Sequence, residues 1–133
     1  MPVNMSYPKP RDLLVKIVPL AITDSSTLKC VLPKDAVITG VDVHQQVAAT
    51  TNASTFDLGF TGDTDGLLND FSFATTSVGY TRAGAAAGSA VGTKLSSDKA
   101  ILSTCTVGAS DTTSAGYAVI YYFVAGPGES IYD

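Results

Sequence analysis

Five oxygen-bearing side chains, Asp57, Asp63, Asp65, Asn69 and Asp70, fall within 14 residues. Clusters of carboxylate and amide oxygens are what calcium selects. Laid on the helix-loop-helix calcium loop, Thr61 takes the first ligand position, Asp63 the third, Asp65 the fifth and Gly66 the invariant turn. The final position, which must bring a bidentate acid, is then Ser72, and no helix-period pattern flanks the segment. That motif fails. Turn chemistry accounts for the same residues: in Gly62-Asp63-Thr64-Asp65-Gly66 each carboxylate can bond its own backbone, and glycine supplies positive φ. The segment is therefore expected to be an acidic loop, with Asp65 able to cap one helical turn running to Asn69. The five side chains stand as metal candidates, and no cofactor is expected.

No other grouping assembles an active site. His44 is the only histidine, on the more polar face of a strand pattern beside Asp42. One His and two Cys fall short of a four-ligand structural zinc site. A Cys–His nucleophile would need Cys30 or Cys105 at His44, yet both cysteines sit in apolar strand patterns and read as buried free thiols. Glu129, the only glutamate, lies in the C-terminal tail, and Asp42 beside Asp57 across strands would set like charges together. There is no Gly-x-Ser-x-Gly, phosphate loop or dinucleotide fingerprint. The expectation is a protein that binds or braces, not an enzyme.

Composition points the same way. Of 133 residues, 15% are charged, against the usual ~25%. Thr, Ser, Ala and Gly take their place, which suits a surface that meets other protein. The net charge of −4 argues against nucleic acid as partner. Five of the eight basic residues (Lys9, Arg11, Lys16, Lys29, Lys34) lie in the first 34 positions, so the remainder is acidic. No apolar run nears the ~20 residues that span a bilayer, so no membrane partner is expected.

The elements that must position these residues are strands. Residues 1–10 contain three prolines and read as an extended arm. Residues 11–20 place Leu13, Val15 and Ile17 on one face, and Pro19 ends the strand or marks an edge. A turn at 23–27, a short strand at 28–32 and a tight Pro33-Lys34-Asp35 turn follow. Residues 36–45 alternate, with Val37, Thr39, Val41 and Val43 together; 54–60 do likewise with Phe56, Leu58 and Phe60. Residues 71–74 could add a short strand. The small-residue run 77–92 reads as a long loop. Strands at 99–107 and 116–124 close the chain before a tail at 126–133. The last strand is apolar on both faces, with Tyr117 and Tyr121 on one and Tyr122 on the other, so both faces should be covered. About seven or eight antiparallel strands make an all-β sandwich, jelly-roll-like, in one domain over 11–125.

The order of a Pro-Lys-Asp turn, the strand AVITGVDVH, the strand STFDLGF, the loop TGDTDGLL and the aromatic strand YAVIYYF resembles the capsid cement or decoration proteins of tailed bacteriophages, over roughly residues 28–124. The resemblance implies a β-rich subunit made in the host cytoplasm. It would sit on the outer surface of the virion's capsid, commonly as a homotrimer, stapling neighbouring major capsid protein subunits. It implies no catalytic residues. On that reading Tyr7, Lys9 and Arg11 of the arm lie on the capsid. Tyr80 and Arg82 belong to a loop meeting a neighbour or solvent, and Tyr117, Tyr121 and Tyr122 supply interface. Two rival readings are a carbohydrate- or receptor-binding module, with or without the help of calcium, and a tail or head-completion protein.

Overall fold

A computed structural model describes residues 12–50, 52–75, 79–82 and 86–125. The architecture is all-β. Eight strands run β1 (Leu14–Ala21), β2 (Thr27–Leu32), β3 (Ala36–Val47), β4 (Thr55–Phe60), β5 (Asp63–Ser72), β6 (Gly79–Arg82), β7 (Lys99–Thr106) and β8 (Ala115–Val124). They form two four-stranded sheets, β1-β8-β3-β6 and β2-β7-β4-β5, with every named pairing antiparallel. Eight strands in two sheets of this order make a jelly roll. Val18, Leu20, Ile38, Val43, Ala118 and Ile120 from the first sheet meet Leu32, Phe56, Leu58, Leu68 and Ile101 from the second in one buried cluster. Phe56 and Phe73 lie 4.5 Å apart, centroid to centroid, at its middle.

Three elements differ from expectation. In β3 the pairing to β8 slips between Ile38 and Gly40, leaving Thr39 as an extra residue. A bulge of one residue reverses the pleat. Ile38, Val41 and Val43 are therefore buried while Val37 is only half-buried and Thr39 is exposed. The acidic loop is a strand: β5 forms a hairpin with β4 through the two residues Thr61 and Gly62, with Gly62 at φ 95°. Leu67 and Leu68, both fully buried, outweigh the local turn preference, so no helical cap forms at Asp65. The small-residue run holds β6 in place of a loop, paired to β3.

Past β6, residues 86–95 form a strap. Gly88 N donates to Leu67 O at 3.0 Å and Ala90 N to Gly66 O at 2.8 Å, lacing the strap to β5. Gly92 N then donates to Ile38 O at 2.7 Å and Leu95 N to Ala36 O at 2.8 Å, lacing it to β3 in the other sheet. Small residues are needed because backbone lies on backbone: a Cβ at Gly88 would sit 2.2 Å from Asp65 O. The strap closes one flank of the sandwich. On the opposite flank, β1 and β2 end their sheets side by side, and among the described residues neither outer edge is paired.

Candidate docking surface

Each candidate residue has a place in this frame. Asp57 lies on β4 and Asp63, Asp65, Asn69 and Asp70 on β5. Asp57 Oδ1 accepts the Asp70 amide at 2.7 Å, and Asp63 Oδ2 accepts Ser89 Oγ from the strap at 3.2 Å. Burial pushes the Asp57 carboxyl up; the Asp70 amide pulls it back, and the charges of Asp70 and Asp65 push it up again. Among the described residues no three His, Cys, Asp or Glu groups are placed to hold a metal ion. Asp42 and Asp57 belong to different sheets and do not face one another. His44 is exposed on the first sheet, opposite Tyr117. Cys30 and Cys105 are free, half-buried thiols on the second sheet, packed against the core. Burial raises both, Cys105 to about 11, which leaves little thiolate for any nucleophile.

What the sheet order does bring together is a surface. Direct cross-strand partners share a face. Val15 pairs with Tyr121, Ile17 with Val119, Pro19 with Tyr117, and Val37 with Phe123, so these side chains line the outer face of the first sheet. Ile17 is 64% exposed, Val15 45% and Tyr117 37%. The sheet's inner face takes Ala118, Ile120 and Tyr122, the last only 5% exposed. Tyr122 is thus a core residue, whereas Tyr117 and Tyr121 look outward. Tyr80 and Arg82 pair in register with His44 and Asp42, at the far edge of the same sheet. Tyr7, Lys9 and Arg11 lie outside the described residues.

The β3 bulge shapes this face. Thr39 Oγ1 donates to Tyr121 O at 3.2 Å, and Gly40 sits opposite Tyr121 with nothing within 4 Å of where a Cβ would stand. The result is a hollow of about 350 Å³ bounded by Leu13, Thr39, Gly40, Asp42 and Tyr121. Sequence reading placed Leu13, Val15 and Ile17 on one face but missed that it turns outward. It missed the hollow because the bulge leaves no signature beyond Gly40.

Two buried carboxylates hold the loops at one end of the sandwich. Asp24 pairs with Lys29 Nζ at 2.8 Å and accepts Ala21 N at 3.0 Å and Ser103 Oγ at 2.8 Å. Asp111 accepts Ser54 Oγ and Ser114 Oγ, and the amides of Thr50 at 3.1 Å, Thr113 at 3.1 Å and Ser114 at 3.3 Å. Burial alone would raise the Asp111 carboxyl; the Ser114 and Ser54 hydroxyls, then the Thr113 and Thr50 amides, overcome it and hold it well below the usual range. Nothing in the sequence singled out either acid: Asp24 falls in the turn expected at 23–27, and its partner Ser103 is 79 residues away.

No protein-family model and no curated protein matches the chain. A chain of the cyanophage Pam1 capsid asymmetric unit matches in structure, with a TM-score of 0.63 over 86% of each chain at 15% sequence identity. At that identity the likeness is one of fold: this chain shares its β-sandwich with a chain of a phage capsid.

Proposed function

We propose that the protein is a structural component of a bacteriophage virion that binds the outer capsid surface and stabilises the shell by bridging major capsid protein subunits, as a cement or decoration protein. The observation that carries this is the shared fold with a chain of a capsid asymmetric unit. The surface supports it. A chain with 15% charged residues turns an apolar, tyrosine-bearing sheet face outward. Desolvated aromatic and aliphatic groups of this kind serve protein interfaces. On this reading the subunit is one domain over 11–125 that acts as a homotrimer, is made in the host cytoplasm and needs neither nucleic acid, membrane nor catalysis. Tyr117 and Tyr121 lie at an interface, with Tyr80 and Arg82 beside them. Tyr7, Lys9 and Arg11 of the arm also lie at an interface. The test is to add purified protein to capsids lacking it and measure bound copies and the capsid's thermal disruption temperature. Saturable binding with a raised disruption temperature is expected; no binding would reject the reading.

A further inference from the structure

The β1 edge carries a specific vacancy in the hydrogen-bonding pattern. In a strand, backbone groups alternate left and right with the same two-residue period as the side chains. Pro19 has no N–H, and on an edge strand proline turns that side away from its partner. Its pairing with Tyr117 therefore sets the odd residues of β1 outward, so that Val15 and Ile17 aim their N–H and C=O groups at the free edge. The same odd residues hold their side chains on the exposed outer face. An unpaired apolar edge of this length is a template for another strand. Of the ten large hydrophobics exposed among the described residues, five lie on β1 or β2 and a sixth, Leu13, adjoins β1, so this flank is where cover is missing.

The sequence of residues 1–10 fits that template. Met1, Val3, Met5 and Tyr7 are apolar and all odd; Pro2, Pro8 and Pro10 are all even. As a strand, this segment keeps its N–H groups on the odd side, where Val3, Met5, Tyr7 and Lys9 donate. It spends every proline on the side that faces away. Laid antiparallel to β1, its odd side chains then fall beside Val15 and Ile17. We infer that residues 3–9 of one copy add as a strand to the free β1 edge of a neighbouring copy. This rests on the trimeric reading above and gives the arm a second copy, in place of the capsid, as its seat. Folding back onto its own β1 through a two-residue Pro10-Arg11 turn would set odd arm residues against even β1 residues, which is the wrong parity; a three-residue turn over 10–12 would restore it, and the cross-link below separates that hairpin from exchange between copies. The four residues 10–13 between the paired segment and β1 span up to ~14 Å, which is the reach from one domain to its neighbour's edge. Giving one arm and taking one is a head-to-tail contact, which closes a ring when the rotation permits.

The test uses full-length chains and light scattering. Val3→Pro with Met5→Pro removes donors from the pairing side; Asn4→Pro with Ser6→Pro adds the same two prolines to the other side. The wild type and the even variant are expected at three times the 13.7 kDa chain mass, and the odd variant at one-third of that, with circular dichroism unchanged. With Cys30 and Cys105 replaced by alanine, Met5→Cys with Ile17→Cys is expected to give chains cross-linked to one another on a non-reducing gel. A wild-type monomer, an odd variant that keeps the threefold mass, an even variant that loses it, or a cross-link closed within one chain would each overturn the inference. Trimers that follow the parity rule yet bind no capsid would instead reject the capsid reading and leave the arm exchange standing.

Discussion

Replacing Asp111 with asparagine exchanges one carboxylate oxygen for an amide nitrogen at almost unchanged volume. In the native site one oxygen takes the Ser54 and Ser114 hydroxyls and the other takes three backbone amides. The asparagine oxygen can keep the amides. Its NH2 then meets two hydroxyls that were donating. Ser54 Oγ already accepts Gly108 N at 2.9 Å, so its own proton is left with only the Cys105 sulfur, a weak acceptor. Hydrogen bonds to a charged group are worth ~1.5–3 kcal/mol each, and orphaned buried groups cost more than the bonds were worth. Losing two, with partial recovery, gives about 3 kcal/mol. At an m-value of ~2 kcal/mol/M the urea midpoint falls by roughly 1.5 M, read by circular dichroism at equal protein concentration. The acid limb adds a second readout. Asp111 is held below the ordinary carboxylate range, so the unfolded chain takes up the proton first, near pH ~3.9. Its stabilisation is complete above that pH and is lost as pH falls toward the depressed native value. The Asn variant should lack this component. A midpoint shift under ~0.3 M, or identical acid dependence in both proteins, would refute the assignment of Asp111 as the clamp.

Gly88→Val forces a Cβ to 2.2 Å from Asp65 O and Gly66 C, backbone that cannot step aside; ~3 kcal/mol or more of stability should be lost in the same urea assay. At Gly40 a Cβ would meet nothing within 4 Å, so Gly40→Leu should leave stability within ~0.5 kcal/mol while its side chain fills the hollow beside Tyr121, and any loss should appear in capsid binding alone. Cys105, pushed up to about 11 by burial, should alkylate with iodoacetamide at pH 8 on the order of a hundredfold more slowly than a free thiol, and normally once unfolded in urea.

Strands whose apolar residues dominate were legible. β8 carries ten residues without a break, and its flanking turns fix its ends. The edge role of β1 could be read from Pro19, because a missing N–H has few places to go. Other features depend on contacts distant in the chain. The phase of β3 reverses at Thr39, and alternation read before the bulge assigns Val37 to the wrong side. β5 reads as a turn because Asp63, Asp65 and Gly66 are turn formers; burial of Leu67 and Leu68 under the strap decides the matter. The strap's small residues look like low complexity until backbone carbonyls lie against Gly88. At the docking face, the aromatic content of β8 was readable. Which tyrosine turns outward was not, since Tyr121 and Tyr122 differ only in parity.

The pairing of Leu14 with Tyr122 brings the chain into the domain and out of it at neighbouring points. The loops clamped by Asp24 and Asp111 sit at the other end, where Ala21 and Val47 both reach Ala115. For anyone wishing to exhibit foreign peptides on particles, this geometry divides the molecule into two ports. Passengers spliced before β1 or after β8 crowd one pole and compete there with whatever the leading residues grasp. Passengers meant for the opposite pole must enter a loop there, and the turn at 22–26 or the segment 107–114 accepts them only where the carboxylate clamps survive the insertion.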